Sequence, residues 1–357
     1  MKIRVLVVDD SAIARSALTR LIEQGGDMEV VGTAADASAA ESQIERLKPD
    51  VVTLDVEMPQ TNGLEFLERL MKKNPVPTIV ISAYAERNSD TAFRALELGA
   101  VDFVTKPGPK APGNLFSQSE EIREKVRAAW QARQNHPARY GAEAVGSSTT
   151  STVGGLDAAT QRDRLVLIGA STGGTEAIKE VLTALPAAMP GILVVQHMPE
   201  MFTGSFARRL DTLCKITVKE AADGERVLPG HAYIAPGHSH LSVRRSGGSW
   251  YCELARSEPV NRHRPSVDVL FDSAAKHVGA AGIGIMLTGM GKDGAQGMLA
   301  MHKAGAWNIG QDQNSCVVYG MPREAALIGA LDEVSPLREI PLRIQTRLRQ
   351  SIGKHAA

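Results

Sequence analysis

Residues 165–174, LVLIGASTGG, set a serine between an apolar run and a pair of glycines. A strand that ends there and a helix that begins there would leave Ser171 facing the first backbone N–H groups of the helix. Those groups have no partner within the helix and point at whatever lies ahead of it. Such a serine is a candidate nucleophile with donors at hand for a developing oxyanion. It needs a base, and imidazole has the right proton affinity near neutrality; His197, in VVQHMP, is the candidate. The base in turn needs an acceptor to hold its tautomer, a role open to Asp293 in TGMGKDGA. The order Ser, His, Asp differs from those of the common serine hydrolases. A dinucleotide-binding turn requires glycine where Ser171 stands, and a P-loop requires Gly-Lys-Ser/Thr, which this turn lacks. Taken singly, a capping serine, a histidine satisfied at a strand end and an aspartate in a turn are the plain structural alternatives. No second His or Cys stands at ligand spacing from His197, so no metal is expected there.

A second group of reactive residues lies near the start of the chain. Asp9 and Asp10 follow the run IRVLVV, Asp55 follows VVTL, Ser82 follows TIVI, and Lys106 follows DFVT. Three carboxylates, a hydroxyl and a lysine at one rim suit Mg²⁺ and a phosphoryl group, because hard cations take oxygen ligands. Crowded acids repel one another, and a cation is what lets a carboxylate face a phosphoryl donor. Asp55 is then the nucleophile that becomes an acyl phosphate, Lys106 sits against the phosphoryl oxygens, and Ser82 turns to hydrogen-bond them. Individually, each Asp could merely end a strand or cap a helix.

The elements that must position these residues are legible in the hydropathy pattern. Apolar runs at 3–8, 28–31, 51–54, 78–81 and 102–104 alternate with helical patterns, which predicts a doubly wound parallel α/β domain. In such sheets ligands bind beyond the carboxyl ends of the strands. From residue 164 the rhythm resumes, with strand-like runs at 165–168, 192–196, 216–218, 232–235, 282–287 and 306–309. A hairpin of 241–244 with 250–254 turns at Ser246-Gly247-Gly248. The same rule then brings Ser171, His197 and Asp293 to one rim of a second, mainly parallel sheet. Between the two domains, residues 131–161 are polar and small, including GSSTTSTVGG, and read as a flexible connector. The division is 1–134, a linker at 135–163, 164–350, and a tail at 351–357.

The 357 residues allow two or three domains, and 43% hydrophobic with 22% charged residues is a globular composition. Lys+Arg and Asp+Glu number 40 each, which offers no overall attraction for nucleic acid or membrane. Three widely spaced cysteines form no disulfide framework. No apolar run approaches the roughly 18–20 residues needed to span a bilayer. There is no signal-peptide pattern, so the cytoplasm is the expected compartment.

Residues 1–134 resemble a response-regulator receiver domain through VLVVDDS, TLDVEMPQTNGLEFL, TIVISAY and GAVDFVTKP. The resemblance implies Asp55 as phosphoacceptor, Asp9 and Asp10 as the acidic metal pair, Ser82 as the switch hydroxyl and Lys106 as the lysine. It also implies the Glu57 backbone carbonyl as a metal ligand, and Phe103 as a switch aromatic, although Phe103 is equally a core residue. Residues 164–350 resemble the catalytic domain of the chemotaxis protein-glutamate methylesterase (CheB) family through IGASTGG, VVQHMP, AYIAPG, RHRPSVDVLF and MLTGMGKDGA. That resemblance implies a Ser171–His197–Asp293 triad, with oxyanion donors at the backbone N–H of Thr172 and Met290. It further implies hydrolysis of glutamate γ-methyl esters on methyl-accepting chemoreceptors, and deamidation of receptor glutamines. Phosphorylation of Asp55 by a histidine kinase would relieve blockage of the esterase cleft. A different serine hydrolase, or a response regulator whose output domain only binds, are the competing readings. The absence of a basic cluster or recognition-helix motif argues against a nucleic-acid-binding output.

Overall fold

The computed structural model describes residues 2–58, 62–82, 89–106, 115–135 and 156–350. The chain divides into two compact units, Met1–Val145 and Gly146–Ala357.

The first unit runs β1 (Ile3–Val8), α1 (Ala12–Glu23), β2 (Met28–Ala34), α2 (Ala37–Leu47), β3 (Val51–Asp55), α3 (Gly63–Lys73), β4 (Thr78–Ser82), α4 (Ser89–Glu97), β5 (Asp102–Thr105) and α5 (Leu115–Asn135). Its five strands are all parallel, in the order β2-β1-β3-β4-β5. Strands covered on both faces must be apolar throughout, and β1 and β3 are buried along nearly their whole length. Polar residues then mark the helix starts. Ser11, Asp36 and Asn62 each accept a backbone N–H from the first turn of α1, α2 and α3. The chain order reverses between β1 and β3, which puts a crevice at their carboxyl ends.

The second unit opens with α6 (Ala158–Asp163) and β6 (Leu165–Ala170), then α7 (Gly174–Ala184), β7 (Gly191–Gln196) and α8 (Glu200–Leu213). There follow β8 (Thr217–Glu220), β9 (His231–Ile234), β10 (His240–Ser246), β11 (Ser249–Ala255) and α9 (Val267–His277). It closes with β12 (Gly282–Met286), α10 (Ala295–Lys303), β13 (Trp307–Gln311), α11 (Met321–Leu327), β14 (Glu333–Ser335) and α12 (Ile340–Gln350). Seven parallel strands lie in the order β14-β13-β12-β6-β7-β9-β8. β6 sits where the winding reverses, flanked by β7 on one side and β12 on the other. Its carboxyl end is therefore the switch point at which a ligand site is expected. β10 and β11 form a separate antiparallel hairpin whose turn uses Gly247 and Gly248, both at positive φ. The core beneath it joins Leu241, Val243, Trp250 and Cys252 to Phe271 and Leu270 of α9.

Several sequence expectations need correction. The connector does not run unbroken to residue 163, because residues 158–163 form α6. Asp157 caps that helix, accepting the N–H groups of Ala159 and Thr160 at 2.9 Å each. The central stretch of the connector, 136–155, and the tail 351–357 lie outside the described residues. The third run of the second unit is displaced to Thr217–Glu220, where Val218 is buried and the flanking Thr217 and Lys219 are exposed. An edge strand alternates in this way, so a search for continuous apolar residues misplaces it. β14 and α12 escaped the sequence reading for the same reason. β14 has only three residues, with Val334 exposed, and α12 is interrupted by four arginine or glutamine positions on its open side.

Candidate active site

Ser171 is the first residue beyond β6, and His197 the first beyond β7. The pairing of Ala170 with Gln196 continues one step further, with the His197 N–H donating to the Ala170 carbonyl at 3.1 Å. Serine and histidine are thus carried side by side at the ends of neighbouring strands. Gln196 ties the two loops together, donating from Nε2 to the carbonyls of Ser171 at 2.9 Å and His197 at 3.2 Å. On the other flank the Ser171 N–H donates to the Thr288 carbonyl at 3.0 Å, beyond β12. The Thr288 hydroxyl donates to the Thr172 carbonyl at 3.0 Å and accepts the Val318 N–H at 2.9 Å.

Two glycines are required by this geometry. Gly173 has φ +76°, the left-handed conformation that L residues resist, and starts α7 directly after the serine turn. At Gly289 an added Cβ would lie 2.8 Å from the Ser171 Cβ and 2.3 Å from the Met321 sulfur. Gly289 therefore lets this backbone approach the serine closely, one residue before the Met290 N–H. Neither Thr172 nor Met290 spends its N–H on a partner among the described residues.

Asp293 is brought to His197 across 96 residues. The His197 Nε2 lies 2.8 Å from its Oδ2. The carboxylate is 2% exposed and receives further donors from the N-terminal end of α9 and the loop before it. The Val267 N–H donates at 2.6 Å, the Ser266 hydroxyl at 2.7 Å and the Asn261 amide at 2.7 Å. Burial by itself would raise the Asp293 carboxyl. The contact with His197 and the Asn261 and Ser266 donors outweigh it and hold the group well below the ordinary carboxylate range. An ionised carboxylate only accepts, so the proton on that side of the ring belongs to Nε2. Nδ1 is then the basic nitrogen, and it is buried without a hydrogen-bond partner among the described residues. The ring of His263 stacks on His197 with centroids 3.7 Å apart and planes 10° from parallel. The structure thus joins His197 to Asp293 by a hydrogen bond and sets Ser171 beside His197 by backbone register. No hydrogen bond runs from the Ser171 hydroxyl to His197.

Gln196, Asn261, Ser266, Thr288 and Gly289 were not anticipated as site residues. Gln196, a polar residue closing an apolar strand, offered a signal. Asn261 and Ser266 offered none, because a loop preceding a helix is polar for many reasons.

In the first unit, Asp9, Asp10 and Asp55 present carboxylate oxygens that lie within 4.8 Å of one another. Lys106 Nζ reaches Asp55 at 2.6 Å and Asp9 at 2.9 Å. The Ser11 N–H fixes Asp9 at 2.9 Å and the Glu57 N–H fixes Asp55 at 3.0 Å. Burial pushes the Asp9 carboxyl up; Lys106 opposes this, while the Asp55 charge adds to it. Burial would lower the Lys106 ammonium, and its two carboxylate partners overcome that and raise it. Ser82 ends β4 in backbone register with Thr105, at the same rim. Phe103 is 3% exposed and packs edge-on against Phe93 of α4, with centroids 5.9 Å apart and an interplanar angle of 84°. Its ring belongs to the core beside the sheet rather than to the carboxylate cluster.

Residues 166–344 match the CheB methylesterase family, and residues 5–115 match the response regulator receiver domain. The protein-glutamate methylesterase/protein-glutamine glutaminase of Nitrosomonas europaea is 55% identical over 357 residues, covering 99% of each chain. The chain belongs to the CheB methylesterase family. The enzyme of the same name from Thiobacillus denitrificans is 55% identical over 346 residues, covering 96% of each chain. The CheB methylesterase catalytic domain of Thermotoga maritima superimposes on the second unit with a TM-score of 0.50 and 41% identity, covering 54% of this chain and 98% of that one. The second unit thus shares its architecture with that catalytic domain.

Proposed function

We propose that this chain is a cytoplasmic protein-glutamate methylesterase and protein-glutamine glutaminase acting on methyl-accepting chemoreceptors. In this reading residues 1–134 regulate, 135–163 connect with α6 at their end, and 164–350 catalyse. The observation that carries it is the buried His197–Asp293 pair set beside Ser171 at the switch point of the second sheet, in a family whose relatives bear that name. Among the described residues no helix is long and apolar enough to cross a membrane.

The chemistry follows from the atoms. The Ser171 hydroxyl attacks the ester carbonyl while His197 Nδ1 takes its proton. Asp293 stabilises the imidazolium through Nε2. The N–H groups of Thr172 and Met290 receive the oxyanion. Collapse of the tetrahedral adduct expels methoxide, which takes the proton from Nδ1 and leaves as methanol. Water, deprotonated by the same nitrogen, then cleaves the acyl-enzyme and restores the serine. A carboxamide in place of the ester releases ammonia by the same route.

Asp9, Asp10 and Asp55 would hold Mg²⁺, with Glu57 adding its carbonyl; an all-oxygen donor set, with Asp9 raised by burial and a neighbouring anion, suits a hard cation. When bound, the ion neutralises charge on a phosphoryl group. Asp55 is the phosphoacceptor for a histidine kinase, Lys106 faces the phosphoryl oxygens, and Ser82 and Phe103 are the switch residues. Phosphorylation raises the esterase activity. The test is methanol release from a methylated receptor beside hydrolysis of a small neutral ester. Hydrolysis of the small ester with an untouched receptor would point to another serine hydrolase and overturn the assignment.

A further inference from the structure

The chain leaves β11 at Ala255 and returns to α9 at Val267 through a loop that closes over the triad. Val260 and His263 exchange backbone hydrogen bonds at 3.1 and 2.9 Å, and the two residues between them, Asn261 and Arg262, have φ of +52° and +69°. That is a tight turn of the primed type, whose conformation fixes its two tip residues. The loop is anchored to the reaction centre at three points already described: Asn261 and Ser266 on Asp293, and the His263 ring on His197. Arg264 pins its two arms together, donating to the Ser257 carbonyl at 2.9 Å.

What this loop shows to solvent is positive charge. Arg256, Arg262 and Arg264 are all exposed, and so is Lys292, the residue before Asp293. Exposed acids near the loop are Glu258 within it, Glu200 three residues beyond His197, and Asp223, which accepts the Leu254 N–H at 2.9 Å where the loop begins. Arg256 and Lys292 form no ion pair with any described residue. A local excess of cations in a chain with formal net charge +0 is a matter of arrangement, not composition. Charges arranged around a pocket steer anions toward it and set partner choice more than affinity.

We propose that this basic loop and Lys292 dock an acidic polypeptide segment of the substrate, whose carboxylates flank the reacting group. The inference rests on the function proposed above and extends it to substrate recognition. Each turnover on a glutamate ester leaves one more carboxylate on the same polypeptide, so the rim becomes more complementary as hydrolysis proceeds. No aromatic side chain stands exposed in residues 255–266 to stack a base, which favours carboxylates over a single-stranded nucleic acid.

The test uses the full chain with the double variant Arg256→Glu/Lys292→Glu and a soluble, lipid-free methylated receptor fragment. At low ionic strength kcat/KM for the fragment should fall about tenfold, since two exposed charges are reversed. The deficit should shrink to within about twofold in 0.5 M NaCl, where screening acts over a few ångströms. Arg256→Lys/Lys292→Arg should retain wild-type values at both salt concentrations. Hydrolysis of a small neutral ester reports the integrity of the triad in every protein. An equal loss on both substrates would mean a distorted site and would overturn the proposal, as would undiminished activity on the fragment. A loss that emerges only when the fragment is bound to anionic vesicles would assign the surface to lipid instead. Wild-type enzyme that cleaves the small ester and ignores the fragment at every salt concentration would overturn the proposed function, and the docking surface with it.

Discussion

Gly289→Ala puts the closest contact of the site under stress. The new Cβ would stand 2.8 Å from the Ser171 Cβ and 3.0 Å from the Ser171 nitrogen. Carbon atoms settle at about 3.5 Å, so a displacement of about 0.7 Å is forced on one side or the other. The Met321 sulfur, 2.3 Å away, belongs to a flexible but fully buried side chain and must give way as well. Gly289 itself cannot retreat easily. Its N–H donates to the Val318 carbonyl at 3.1 Å, and its carbonyl accepts from Gly320 at 3.1 Å and Met321 at 2.8 Å. The shift therefore falls on Ser171 and on the neighbouring Met290 peptide, the proposed nucleophile and one proposed oxyanion donor. A misplacement approaching 1 Å costs up to about 10²-fold in rate, and overpacking of this kind costs about 1–3 kcal/mol of stability. Small-ester kcat/KM should fall about 30- to 100-fold, with thermal unfolding lowered by a few degrees and the fold retained. Wild-type turnover in a folded Gly289→Ala protein would refute the placement of Ser171 against Gly289.

Other consequences follow from the same atoms. Ser266→Ala removes one donor from a carboxylate that keeps Asn261 and Val267, at a cost of about 1 kcal/mol, so kcat should drop about fivefold in a steady-state assay. Because the folded-state Asp293 carboxyl lies below its free value, its stabilising contribution is complete above about pH 4 and is lost as pH falls further. In urea unfolding, the stability gap between wild type and Asp293→Asn should accordingly be larger at pH 6 than at pH 3; an equal gap would contradict the paired carboxylate. Burial pushes the Cys214 thiol up to about 11 and the Cys252 thiol up to about 12, so iodoacetamide at pH 7.5 should leave the native enzyme active. Asp55→Asn should abolish incorporation from a small phosphodonor, read by intact mass; undiminished incorporation would contradict the proposed acceptor.

The strand-end rule makes much of the candidate site legible in the sequence. Apolar runs ending in Asp9, Asp55, Ser171 and His197 located the rims of both sheets, because a parallel strand buried on two faces has nowhere else to carry a polar residue. What lay beyond reach came from contacts across long stretches of chain. Asp293 stood in a glycine-rich loop whose direction no local pattern specifies, and its donors at 261, 266 and 267 reach it only through the turn at Val260–His263. Which imidazole nitrogen is left free of Asp293 also required geometry, since it depends on the side from which Asp293 approaches. The connector was overextended because Asp157, a lone cap among small polar residues, is what starts α6. Phe103 illustrates the opposite case: one aromatic in an apolar strand serves equally as core or switch, and its packing on Phe93 shows only the first.

The most direct test of the central claim is methanol release from methylated chemoreceptor, measured for wild type and Ser171→Ala, each with and without a small phosphodonor and Mg²⁺. Wild-type release should rise with the phosphodonor, and Ser171→Ala should release essentially none under either condition. Methanol release that survives the loss of the Ser171 hydroxyl would contradict the account.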